Sequence, residues 1–139
     1  MIDYRAEGMA AFSKMMGDDL AQRLAASADG GGYLSGTGAL ALDFAFGGVW
    51  SRPGLEMKSR SLIVIAILIA TRQYSELKNH VRIGIRNGLT AGEIEEALIQ
   101  CLPYVGFPAV ASAQGPVIEV LREVGLAPDV RTPEERGML

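Results

Sequence analysis

Apolar residues recur along the chain with helical spacing. Met9, Phe12, Met16, Leu20 and Leu24 follow one another at three- and four-residue steps. That stripe predicts a helix over residues 4–27, with Gly17 as the point where it can split in two. The triple glycine after Asp29 predicts a flexible turn. A short Ala- and Leu-rich helix is expected from about Thr37 to Phe46, ended by Gly47-Gly48. Trp50 to Leu55 then reads as a loop with a Pro-Gly turn signal. Residues 56–72 form the next expected helix. Its centre, Leu62 to Ala70, is apolar on all sides. Such a helix is buried all round, which is more than one small subunit can cover and points to an oligomer.

The stretch from Tyr74 to Gly88 reads as a helix with a start, a polar face and a stop. Ser75 is the expected N-cap, Glu76 suits the positive end of the dipole, and Asn87-Gly88 is a C-terminal stop. Thr90 and Glu93 form a capping box for a following helix, whose apolar stripe is Ile94, Ala97, Leu98 and Cys101. Pro103 is expected to bend or end it. Pro108 opens a last helix reaching about Val124, with a kink expected at Gly115-Pro116. The pattern is all-α, about six helices, with a single domain over residues 1–125 and a tail over 126–139 that is mobile or draped on a neighbour.

The bulk composition narrows the function classes. The chain has 139 residues, 49% of them hydrophobic, enough for a real core. A formal charge of −3 and a pI near 5.1 argue against a nucleic-acid footprint, which would be basic. The N-terminus lacks the basic start of a signal peptide, and the longest apolar run is too short to span a bilayer. A single cysteine, Cys101, excludes an intrachain disulfide and any CxxC motif. These features predict a cytoplasmic protein with no membrane partner and no metal cluster.

Candidate chemistry gathers on the 74–88 helix. Glu76 and the sole histidine, His80, are i and i+4 and share a face. Gln73 lies one turn before them, and Gly84 one turn after leaves space. A carboxylate beside an imidazole is a candidate proton-transfer site. A surface ion pair, or a buried histidine satisfied by a carboxylate, accounts for the same spacing. Trp50 and Arg52 are candidates to line a pocket; a core plug and a solvated arginine are the structural alternatives.

Five segments in order and spacing resemble the carboxymuconolactone decarboxylase family. They are Phe46-Gly-Gly-Val-Trp-Ser-Arg-Pro-Gly-Leu55, Lys58-Ser-Arg-Ser-Leu62, Glu76-Leu-Lys-Asn-His-Val-Arg82, Asn87-Gly-Leu-Thr90 and Tyr104-Val-Gly-Phe-Pro-Ala109. The resemblance spans Tyr4 to about Gly125. It implies the all-helical alkylhydroperoxidase D-like fold, assembled as a homo-oligomer, a trimer or hexamer. It also implies decarboxylation of 4-carboxymuconolactone to the β-ketoadipate enol-lactone in aromatic catabolism, without a cofactor. The related peroxidases carry a CxxC just before the helix histidine and a glutamate further upstream. Here Gln73 and Glu76 stand at the cysteine positions and Ser61 at the glutamate. Peroxidase chemistry needs a thiolate and a resolving thiol and is excluded at this site.

The chain also departs from the decarboxylase pattern. Val110-Ala111 follows Pro108-Ala109 where Ala-Asn is usual, Arg86 replaces an asparagine, and Pro103 interrupts a helix. The resemblance implies His80 as proton donor with Glu76 orienting or relaying. Arginine is the expected anchor for an acidic small-molecule substrate, with Arg52, Arg60 and Arg82 the candidates and Trp50 a pocket wall. Two alternatives stand beside it. One is a related isomerase or dehydratase using Glu76 and His80 on another acidic carbonyl compound. The other is a non-catalytic oligomeric small-molecule-binding protein.

Overall fold

The computed structural model describes residues 1–138. They form seven α-helices and one π-helix, with no strand among the described residues. In order these are α1 (Tyr4–Met16), α2 (Asp18–Asp29), α3 (Ser35–Leu40), the π-helix (Ala41–Trp50), α4 (Met57–Ala70), α5 (Tyr74–Arg86), α6 (Ala91–Val105) and α7 (Phe107–Glu123). The chain divides into two compact units, Met1–Met57 and a second from Lys58 onward. No helix among the described residues is long and apolar enough to cross a membrane.

In the first unit, Gly17 does split the first helix. Its φ of 95° lies in the left-handed region that glycine tolerates. The expected stop at Gly47-Gly48 does not occur. Both glycines lie inside the π-helix, which runs on from α3 to Trp50. The role of Gly47 is set by a close crossing. A Cβ on Gly8 would stand 1.9 Å from the Leu42 carbonyl oxygen, and one on Gly47 would stand 2.0 Å from that of Tyr4. Only glycine lets α1 and the π-helix meet backbone to backbone. A helical glycine costs about 1 kcal/mol, less than the separation a side chain would force. Phe12, Ala21 and Leu42 form the buried core here, and the Phe12 and Phe46 rings lie 4.8 Å apart. Arg5 joins the unit's polar side, pairing with Asp29 at 2.6 Å and with Asp43.

In the second unit, α5 and α6 both pack on α7. The core is aliphatic, built from Ile65, Ile69, Leu77, Val81, Ile94 and Val117 among others. The Thr90–Glu93 capping box forms as expected, with both hydrogen bonds at 3.1 Å. Pro103 neither ends α6 nor prevents its last turn, because so near the end its missing N–H removes one hydrogen bond only. Gly106, at φ 96°, makes the turn into α7. That helix continues through Gly115-Pro116 to Glu123.

Helix α4 buries Ser61, Ile65 and Ile69 on one side. The opposite side carries Ile63 and Ile67, 51% and 53% exposed. The tail folds back on its own unit. Thr132 and Pro133 are buried, and the Leu126 N–H donates to the Leu121 carbonyl at 2.9 Å. The Glu135 carboxylate accepts from the Thr132 N–H at 2.9 Å and from Arg122 at 2.8 Å. Those two partners hold its pKa below the ordinary value, the Thr132 N–H contributing most.

Candidate functional site

Helix α5 begins two residues earlier than the expected Ser75 cap implies. Gln73 precedes it without a side-chain cap and Ser75 lies inside the first turn. Arg72, in the left-handed conformation at φ 55°, turns the chain between α4 and α5. Tyr74 takes the anchoring role, its hydroxyl donating to the Ala109 carbonyl of α7 at 3.1 Å. The C-terminal stop is as expected, with Asn87 at the cap and Gly88 at φ 101°.

Three faces of α5 have different partners. Leu77 and Val81 are fully buried in the aliphatic core. On one flank, Lys78 pairs with Glu119, and Arg82 with Glu123 at 2.8 Å, both on α7. Arg82 also donates to Asn79 Oδ1 at 3.2 Å, and Asn79 donates to Glu76 Oε1 at 3.4 Å. The Arg82 hydrogen bond holds the Glu123 pKa below the ordinary carboxylate value. On the other flank lie Glu76, His80 and Asn87, at i, i+4 and i+11, which 100° per residue brings close to one line.

His80 is partly buried and Glu76 exposed. Burial pushes the imidazole pKa below 6.5, and the Glu76 charge one turn away pulls it part of the way back. Burial thus favours the neutral imidazole and Glu76 the protonated one, with burial the larger effect. Burial likewise raises the Cys101 thiol pKa.

Gly84 does not leave space for a ligand, contrary to the expectation from the sequence. A Cβ there would meet Leu89 Cδ1 at 2.7 Å, Ile65 Cδ1 at 3.4 Å and Ser61 Cβ at 3.5 Å. The gap is filled by α4 and by the residue that follows the α5 turn. One turn on, Asn87 Nδ2 donates to the fully buried Ser61 Oγ at 3.0 Å. The second oxygen of this contact, Asn87 Oδ1, is buried without a hydrogen-bond partner. From the sequence, Asn87 reads as part of a helix stop, and Ser61 stands where the related peroxidases carry a glutamate. Their pairing across 26 positions has no local signal.

The remaining expected site residues are distributed as follows. Arg60 is partly buried on α4, next to Ser61. Trp50 and Arg52 belong to the first unit, Trp50 buried at the end of the π-helix and Arg52 exposed just after it. Glu76 and His80 are brought together; Arg82 is committed to Glu123. Among the described residues, no three His, Cys, Asp or Glu side chains gather into a metal-ligating group. Two hollows mark the second unit. An open groove of about 710 Å³ runs past Leu62, Ala66, Glu96 and Cys101, and a cavity of about 470 Å³ lies between α6, α7 and the tail.

Comparison with known proteins bears on this arrangement. The model of the "Carboxymuconolactone decarboxylase family" matches residues 36–119, more than half of the chain. A 4-carboxymuconolactone decarboxylase of Acinetobacter baylyi is 43% identical over 86 residues, 62% of this chain and 64% of that protein. A nitrosuccinic acid decarboxylase of Metarhizium robertsii is 40% identical over 74 residues, 53% of this chain and 52% of that protein. The chain thus spans less than two thirds of the length of either relative.

Proposed function

The chain belongs to the carboxymuconolactone decarboxylase family, and from that membership we propose that it is a cofactor-free carboxy-lyase. Its substrate is a carboxylate whose neighbouring group can take up an electron pair. A carboxylated unsaturated lactone is the first candidate, converted in the manner of 4-carboxymuconolactone to the β-ketoadipate enol-lactone. The observation that carries the reading is His80, the sole histidine, partly buried on α5 with Glu76 one turn away. Both relatives are named as decarboxylases of acids, which supports the reaction class.

The chemistry needs little apparatus. When the carbon–carboxylate bond breaks, its electron pair passes through the conjugated double bond to the lactone carbonyl. Carbon dioxide leaves and a dienolate remains. One proton must then reach carbon. His80 delivers it, with Glu76 orienting the ring or relaying the proton. A neutral imidazole must first be protonated, and the negative dienolate favours that step by raising its pKa. A positioned acid contributes ~10²–10⁴-fold in rate. A donor aimed at the developing oxyanion contributes roughly 3–4 kcal/mol.

Anchoring falls to arginine. Arg52, Arg60 and Arg82 are the proposed anchors, of which Arg82 also pairs with Glu123. Trp50 is the proposed wall. The protein acts as a homo-oligomer, a trimer or hexamer, and Ile63 and Ile67 on the open side of α4 are the contact surface. We place it in the cytoplasm, in aromatic catabolism.

A second reading follows from the fungal relative. A nitro group is also an electron sink, so a nitro-substituted dicarboxylic acid asks the same of the protein. One assay set separates these. Carbon dioxide release and ultraviolet absorbance are followed on 4-carboxymuconolactone generated in situ, and carbon dioxide release on nitrosuccinic acid. Turnover of the lactone is expected. Turnover of the nitro acid alone moves the assignment to the second reading, and turnover of neither overturns the decarboxylase.

A further inference from the structure

The cavity between α6, α7 and the tail lies apart from the face of α5 that carries Glu76 and His80. Its walls are aliphatic: Leu98, Leu102, Val117 and Leu121 line it from the two helices, and Ala127 and Val130 close it from the tail. Three polar groups, Arg136, Glu95 and Gln114, complete the lining. The Arg136 guanidinium forms no ion pair or hydrogen bond among the described residues; only its backbone N–H is engaged, with the Thr132 carbonyl at 3.1 Å. Its neighbour in sequence, Glu135, is already used twice, by Arg122 and by the Thr132 N–H.

We propose that this cavity is a second binding site, for a small aliphatic carboxylate, with Arg136 taking the carboxylate and the aliphatic walls the chain. The volume, about 470 Å³, falls within the ~300–1,000 Å³ usual for small-molecule sites. The lining sets the class of ligand. No aromatic side chain faces the cavity, so a flat ring has nothing to stack on, whereas a saturated chain gains burial at about 25 cal/mol per Å². A guanidinium is a ready partner for a carboxylate, which it grips through two parallel N–H bonds. Glu95 repels a second negative charge, so the far end of the ligand is uncharged or a hydrogen-bond donor.

The same contacts couple the site to the tail. Glu135 holds the segment against α7 through Arg122, and the residue after it, Arg136, lines the cavity. Ligand that binds across Arg136 and α6 therefore also holds the tail down.

The test is calorimetric titration of the intact protein with octanoate and, separately, with octanol. Octanoate is expected to saturate at one site per chain. Arg136→Gln should weaken it at least tenfold while leaving the weaker binding of octanol unchanged and decarboxylation at the wild-type rate. Ile99→Trp, a half-exposed lining position whose larger side chain enters the cavity, should abolish both. His80→Ala should leave octanoate binding intact. The proposal is overturned by an absence of saturable binding, by octanoate binding that Arg136→Gln or Ile99→Trp leaves unaltered, or by binding lost in His80→Ala. That last result would place the carboxylate at α5 instead. None of these outcomes depends on which acid is decarboxylated.

Discussion

Asn87 and Ser61 join the end of α5 to the middle of α4 by a hydrogen bond of 3.0 Å. The serine is fully buried and the asparagine stands two turns beyond His80 on the same side of the helix. The contact fixes how the face carrying Glu76 and His80 is presented beside α4. Ser61→Ala removes the acceptor and leaves the Asn87 amide unpaired. Such a loss costs about 1–3 kcal/mol. Urea unfolding of the variant should show that decrease with an unchanged slope. A variant as stable as wild type would mean that water replaces the serine at no cost.

The crossing of α1 with the π-helix gives a sharper expectation. Gly8→Ala would put a methyl group 1.9 Å from the Leu42 carbonyl oxygen. Backbone cannot step aside as a side-chain tip can, so the helices must separate. Overpacking typically costs 1–3 kcal/mol or more, here taken as roughly 3 kcal/mol. Thermal melts followed by circular dichroism should show a clear drop. Gly36→Ala, with open space around it, serves as the control and should change little.

His80 ties stability and activity to pH in opposite senses. Its folded pKa is depressed below 6.5 by burial, so the unfolded chain binds the proton more readily. The associated stability is full above pH 6.5 and is lost as pH falls through the folded pKa. His80→Gln should remove that part of the acid destabilisation, which a series of melts from pH 7.5 to about pH 5 would reveal. Activity depends on the protonated form. kcat/KM should therefore fall as pH rises past the folded pKa, and His80→Gln should lower kcat strongly at every pH. A kcat/KM that climbs with pH through this range would assign His80 the role of base. Glu76→Gln should be milder if the carboxylate only orients the ring, and as severe as His80→Gln if it relays the proton.

The open side of α4 predicts the assembly. Ile63→Lys together with Ile67→Lys changes two side chains that are half exposed within the chain, so helix content should be kept. The oligomer should dissociate, with decarboxylation lost alongside. Sedimentation velocity reads both variant and wild type. A wild-type protein that stays a folded monomer at micromolar concentration would remove the assembly from the proposal.

By itself the sequence determined what local chemistry controls. The helix break at Gly17, the Thr90–Glu93 box, the stop at Asn87-Gly88 and the spacing of Glu76 and His80 all act over a turn or two, and each appears where it was expected. Family membership was legible for the same reason, since it rests on ordered short segments. Tertiary structure decided whatever depends on an atom from elsewhere in the chain. Gly47-Gly48 read as a stop because glycine is a poor helix former. The pair sits within a helix, and α1 crosses it at backbone distance at Gly47. Gly84 read as open space, and Leu89, Ile65 and Ser61 fill it. Arg82 was one of three candidate anchors, and Glu123 pairs with it from 41 positions away. A side chain's partner is set by which helices pack together, and that follows from burial summed over the whole unit rather than from the residues beside it.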